Sequence, residues 1–287
     1  MRLLIAILLL ITFNAEAQIV RAHPLYRPPA VAAGCTGNQI LDTYTGAAGA
    51  YSVAFKLDKD YSGSAYRVRR SNDNSEQDIG FVNCDVDTAS LKTFCSTNSC
   101  YVVTLYDQLG SNNVTQSTAT SQARVVNAGI VDRVSGKPSM YFDGGDGYNF
   151  AAFAGKTRMD FYFVASTSDD TYVQFYGDNI GSEYAFVAQN GSGTSGVGNG
   201  AGAPTLYTNN NLQSSSTRDQ VHDALNGTYI VTVQNMNTSA WGTVCRYGDY
   251  GGFQFTGYVS QMIGWASDQS ANRSGIVTAF NTQFSIY

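Results

Sequence analysis

Nine short runs of β-branched and aromatic residues, none longer than nine, are separated by Gly, Asn, Asp and Ser. They fall at 66–70, 79–82, 101–106, 139–142, 161–165, 172–176, 184–187, 229–233 and 257–265. Runs of this length between turn residues read as strands, because a helix needs a longer apolar period to bury a face. Charged residues are only 14% of the chain, against 29 Gly and 19 Tyr. That mixture suits a half-buried pleated surface with many turns. Two segments read as helical: 87–94, with Asp87 as N-cap, and a C-terminal stretch after Ser267-Asp268-Gln269. The latter spaces Ile276, Phe280 and Phe284 four apart, one face of a helix packed on the sheets. Residues 47–57 fit either a short helix or a strand. The low-complexity stretch 190–211, almost pure Gly, Ser, Asn, Ala and Thr, reads as a loop within one domain.

Arg2, the apolar run 3–13 and Ala15-Glu16-Ala17 have the form of a secretory signal peptide over residues 1–17. Residues 18–33 hold Pro24, Pro28 and Pro29 and read as an extended tail or pro-segment. The remainder, 34–287, is expected to be a single β-sandwich domain. No later segment approaches the roughly 20 apolar residues of a transmembrane helix, so the expected location is secreted, extracellular or surface-associated, without a membrane span.

A net charge of -5 argues against a nucleic-acid partner, whose phosphates require clustered Lys and Arg. Cys95 and Cys100 flank a short polar loop and are predicted to form a disulfide; at most two of Cys35, Cys84 and Cys245 can pair. The odd thiol is either buried or free to link chains. Asn113, Asn190, Asn226, Asn237 and Asn272 lie in glycosylation sequons. With His23 in the tail and His222 between Asp219 and Asp223, no metal site or cofactor is expected. Asp143-Gly-Gly-Asp146-Gly could supply calcium ligands but reads better as a tight turn.

Tyr61-Ser62-Gly63, Tyr66-Arg67-Val68-Arg69-Arg70, Asp78-Ile79-Gly80, the Cys95–Cys100 loop and Tyr106-Asp107-Gln108-x-Gly110 stand in an order that resembles the α-L-arabinofuranosidase B catalytic domain family. Near the C-terminus Gly248-Asp249, then 255–263, then Ser267-Asp268 continue that order. The resemblance implies an all-β concanavalin A/laminin G-like jelly-roll β-sandwich with a few short helices, including one at the C-terminus. It also implies a retaining α-L-arabinofuranosidase-like glycoside hydrolase, whose chemistry needs two carboxyl groups about 5 to 5.5 Å apart.

Under that resemblance Asp249 occupies the general-acid position, with Gly248, Tyr247 and Tyr250 around the sugar. Asn211, near Tyr207, stands where the family has its nucleophilic glutamate, and an amide cannot form the covalent intermediate. Glu183 is the substitute carboxylate, and Tyr172-Val173 replaces the family's adjacent cysteine pair. The resulting expectation is a non-catalytic glycan-binding or surface/structural glycoprotein whose partner is carbohydrate, including arabinose-containing glycan. The alternatives are a retaining hydrolase using Asp249 and Glu183, and a self-assembling or adhesive extracellular protein. Tyr207, Tyr247, Tyr250, Trp241 and Trp265 would stack on sugar rings where exposed; core packing is the expectation for Trp265, and both readings stay open for Tyr247 and Tyr250.

Overall fold

The structure is a computed structural model that describes residues 35–169, 172–177, 185–193, 198–199, 202–213, 217–248 and 254–287. The expected signal peptide and tail, residues 1–33, lie outside the described residues. The fold is a two-sheet antiparallel sandwich of jelly-roll type. In the larger sheet the order is Asn211–Leu212, Thr205–Thr208, Gly227–Met236, Met159–Thr167, Thr256–Trp265, Met140–Asp143, Arg124–Asn127, Cys100–Leu105, Tyr66–Arg70 and Glu76–Ile79. Ala47–Ser52 pairs with the second half of Thr256–Trp265, which resolves the helix-or-strand ambiguity at 47–57 in favour of a strand. The second sheet runs Gly147–Phe150, Cys245–Gly248, Tyr172–Gly177, Ala185–Gln189 and Gly198–Asn199.

The central strands are apolar on both faces because both faces are covered. Along Met159–Thr167, Phe161, Phe163 and Ala165 point between the sheets while Tyr162 and Val164 point outward. Between the sheets Phe142, from the large sheet, meets Tyr247 of the second sheet edge-on at 5.3 Å, with Tyr148 and Phe255 at 6.0 and 5.6 Å. Full burial of one such ring contributes roughly 1.5 to 3 kcal/mol.

On the outer face, α1 (Ile40–Thr43) and α4 (Arg273–Phe284) cover Tyr162, Val164, Ile230, Ile263 and Trp265. The α4 side chains that do so are Ile276, Val277, Phe280 and Phe284, the face expected from their spacing. The Trp265 indole donates to the carbonyls of Tyr44 and Thr45, so this residue is core, as expected. Gly275 lets α4 close in: a Cβ there would lie 2.1 Å from the Tyr44 hydroxyl. The helix begins at Arg273 rather than just after Ser267 because Asp268 and Gln269 are used elsewhere. Asp268 accepts from the Ser270 amide in a turn, and the Gln269 amide donates to buried Asp160.

Asp87 caps α2 (Thr88–Cys95) by accepting from the Ser90 amide at 2.9 Å. Cys95 and Cys100 are bonded (S–S 2.04 Å), and so are Cys35 and Cys84. Cys245 is fully buried, and that burial pushes its thiol pKa up. Two departures from expectation lie in the polar stretches. Within 190–211, Thr205–Thr208 is a strand, because Leu206 reaches the inter-sheet core opposite Val233. A helix not anticipated from the sequence, α3 (Arg218–Leu225), is capped by Thr217 and buries Val221 and Leu225.

Candidate functional site

The expected catalytic residues Asp249 and Glu183, and Tyr250 beside them, lie outside the described residues. The strand leading to Asp249 is described. Gly248 ends it at φ +104, and a Cβ there would sit 2.2 Å from the Asp146 carbonyl. Only glycine fits that close approach. Tyr247 is 1% exposed and packs against Phe142 and Phe255, so its ring fills the core instead of facing a sugar. Trp241 is also buried.

Tyr207 and Asn211 are close in sequence but diverge in space. The hairpin pairs Tyr207 with Leu212 and Thr208 with Asn211, and successive residues of a strand face opposite sides. Tyr207 therefore points outward, where the Arg273 guanidinium lies 3.9 Å from its ring centroid. Asn211 takes the other face and is exposed. Among the described members of the expected site, the fold separates Tyr247, Tyr207 and Asn211.

A group that sequence reasoning missed lies beside Gly248. The Asp143-Gly-Gly-Asp146 segment is a tight turn: the Asp143 amide donates to Asp146 Oδ2 at 2.9 Å and the Gly145 amide to Asp143 Oδ1 at 3.0 Å. Pairing of Gly147 with Gly248 closes the turn under the second sheet and leaves Asp146 only 4% exposed. Burial pushes its carboxyl up to about 7, with Asp143 adding repulsion against the pull of the Asp143 amide. Among the described residues, Asp146 is a buried proton-binding group at this end of the sandwich, on the turn next to the strand that leads to Asp249.

An open cleft of about 520 Å³ lies on the outer face of the large sheet. Tyr141 and Tyr258, directly paired across two strands, bring their rings to 5.0 Å at 50°. Ser166, Thr167, Ser168, Thr228 and Thr256 supply hydroxyls around them, and Asp169 is the one carboxylate among the described lining residues. Thr228 and Ser166 share a hydrogen bond at 2.6 Å, and Thr167 donates to the Thr256 carbonyl. Tyrosine faces and clustered hydroxyls are the groups that stack on, and hydrogen-bond to, a sugar ring.

A family model described as "Alpha-L-arabinofuranosidase B, catalytic" matches residues 40–153. The chain resembles that catalytic domain. Among solved structures it is similar to a Glu-to-Gln mutant of a GH54 α-L-arabinofuranosidase soaked with 4-nitrophenyl α-L-arabinofuranoside, and to a GH54 α-L-arabinofuranosidase soaked with a cyclic sulfate inhibitor. A third is an arabinofuranosidase complexed with arabinofuranosyl-α-1,2-xylobiose. Each is 17% identical at a TM-score of 0.52, over 84% of this chain. The chain spans 64% of the length of those proteins. No curated protein matches it in sequence.

The arabinofuranosidase B match ends at residue 153, before every expected catalytic or sugar-binding residue. Within the matched stretch, the Tyr106-Asp107-Gln108 motif is scaffold. Buried Asp107 accepts from the amides of Ala50, Leu109 and Asn112, and buried Gln108 accepts from the Leu57 amide while donating to the Phe55 carbonyl. The Tyr106-Asp107-Gln108 motif therefore pins the Ala47–Ser52 strand and the segment after it. A match at such a motif transmits fold and does not by itself transmit chemistry.

Proposed function

We propose that this is a secreted glycan-binding protein of arabinofuranosidase-like fold that holds sugar without hydrolysing it. The observation that carries the reading is the cleft at Tyr141 and Tyr258, which offers stacking faces and hydroxyls and, among the described residues, one lining carboxylate, Asp169. Retaining hydrolysis needs two carboxyl groups about 5 to 5.5 Å apart. Asn211, at the position where the family resemblance places the nucleophile, supports the same reading. Arabinose-containing glycan is the first ligand class to try, since the similar structures carry arabinofuranosyl compounds. Two disulfides suit an oxidising compartment, and Asn113, Asn190 and Asn272 are exposed where N-glycans would attach.

The test is calorimetric titration of the full chain with arabinofuranosyl oligosaccharides, alongside turnover of 4-nitrophenyl α-L-arabinofuranoside. Binding that is weakened by Tyr258→Ala, with no nitrophenol released, is the expected result. Release of nitrophenol that disappears in Asp249→Asn would overturn the non-hydrolytic reading.

A further inference from the structure

The cleft is one end of a longer feature. Eight residues stand directly opposite one another, strand to strand, in the order Glu76, Arg69, Tyr101, Arg124, Tyr141, Tyr258, Ser166 and Thr228. All eight are half-buried or exposed, and their strand neighbours Val68, Val102, Val125, Phe142 and Val259 point into the core. Tyr258 packs against the edge of the outer-face cluster that α1 and α4 cover, and the row runs from there away from that cluster. At a strand spacing of about 4.8 Å, the six residues from Arg69 to Ser166 span about 24 Å. That spacing is comparable to the advance per residue of an extended sugar chain.

Within the row, Arg and Tyr alternate in contact. The Arg69 guanidinium lies 5.2 Å from the Tyr101 ring, and that of Arg124 lies 4.6 Å from Tyr141. The two arginines differ in charge balance. Arg124 is held by both oxygens of Asp132, at 2.9 and 3.1 Å. Arg69 donates from its three nitrogens to Gln122 Oε1, Asn74 Oδ1 and the Ala119 carbonyl, all neutral. Glu76, opposite Arg69 in register, lies 3.9 Å from Arg67, which is itself forked onto Asp78. Arg70 pairs with Asp73 and Arg158 with Asp160. Among the described residues, Arg69 thus has no carboxylate partner, yet three hydrogen bonds fix its position.

We propose that this uncovered row is an extended binding surface for an acidic glycan chain, a uronic-acid-bearing polysaccharide. Tyr101, Tyr141 and Tyr258 form its stacking platform, and Arg69 its carboxylate-recognising cation. A guanidinium presents fixed N–H donors suited to a carboxylate, and aromatic faces accept sugar rings of either charge. This deepens the glycan-binding reading and rests on it. Cross-strand pairing alone explains the sheet-stabilising share of the row. It does not explain a positioned, uncompensated cation in line with three half-exposed tyrosines.

The experiment titrates the full chain with oligogalacturonides of increasing length and with neutral arabino-oligosaccharides of matched length, at low and high NaCl. Arg69→Gln and Tyr258→Ala are run beside the wild type, each checked for a cooperative unfolding transition well above the assay temperature. Affinity for the uronides should rise with length, fall with salt, and drop about tenfold in Arg69→Gln, the scale of one charge-assisted hydrogen bond. Tyr258→Ala should weaken both ligand series. Equal uronide affinity in wild type and Arg69→Gln, or no gain beyond the disaccharide, would overturn the inference while neutral binding keeps the glycan reading intact. Absence of binding to either series would overturn both.

Discussion

The outer face of the large sheet has two halves, and the strand Thr256–Trp265 runs through both. Toward its end, Ile263 and Trp265 sit with Tyr162, Val164 and Ile230, all fully buried under α1 and α4. Toward its start, Tyr258 continues into Tyr141, Arg124, Tyr101 and Arg69, half-buried and without a covering helix. Strand geometry is shared, so side-chain chemistry makes the difference. An aliphatic face is stable only when covered, whereas tyrosine and arginine tolerate water at one end and packing at the other. Covering one half serves stability. Leaving the other open supplies a surface that can bind.

The largest expected effect is in the covered half. Phe280, fully buried on α4, meets the sheet in this cluster, and Phe280→Ala should cost about 3 to 5 kcal/mol in urea denaturation. A loss below about 1 kcal/mol would mean α4 is not the lid of that half, since surface positions alone cost so little.

The acidic groups give the second contrast. In the covered half Asp160 is fully buried and accepts from Arg158, Gln234 and the amides of Asn235 and Gln269. Asp160→Asn places an amide where several donors converge, and roughly 2 to 3 kcal/mol of stability should be lost. Asp132, partner of Arg124 in the open half, is 9% exposed and forks onto a guanidinium that is 22% exposed. Asp132→Asn breaks one bidentate, charge-assisted pair and should cost about 1 to 2 kcal/mol, less than Asp160→Asn because fewer donors converge on it, with high salt narrowing the difference from wild type. Denaturation midpoints of both variants at low and high NaCl decide whether the halves differ electrostatically as they do in packing.

What the sequence disclosed follows the same division. Local devices were legible: the Cys95–Cys100 loop, Asp87 as a cap, and the spacing of Ile276, Phe280 and Phe284, each a matter of a few residues. The row was not legible, because Arg69, Tyr101, Arg124, Tyr141 and Tyr258 become neighbours only through register between distant strands. Proximity in sequence also misled. Tyr207 and Asn211 look like one site and are sent to opposite faces by their hairpin. Asp146 read as an ordinary turn residue, and its burial depends on Gly147 pairing with Gly248.

Asp146, at the margin of the open half, gives a pH test. An unfolded carboxyl titrates near about 4 and the folded Asp146 at about 7, so the folded state binds this proton more tightly. Its stabilising contribution is complete below about pH 4 and is lost as pH rises through about 7. Asp87 and Asp78, both lowered by hydrogen-bond partners, act in the opposite sense at acid pH. The informative quantity is therefore the difference between Asp146→Asn and wild type. The variant should gain on the wild type across this range, by on the order of 1 kcal/mol at pH 8 after allowing for solvent screening. Parallel thermal-denaturation profiles across pH 4 to 8 would show instead that the buried carboxyl does not hold its proton.

The smallest effect falls in the middle of the row and bears most directly on what the open half is for. Tyr101 lies between Arg69 and Arg124 in register, with the Arg69 guanidinium over its ring. Tyr101→Leu keeps an apolar body of similar reach but removes the π-face, so an exposed cation–π contact worth about 0.5 to 1 kcal/mol is lost. If the open half were an uncovered piece of core, leucine would serve as well as tyrosine and the variant would match wild type. A loss of this small size, seen in denaturant midpoints and narrowing as NaCl is raised, assigns the tyrosines to the arginines beside them rather than to hydrophobic burial.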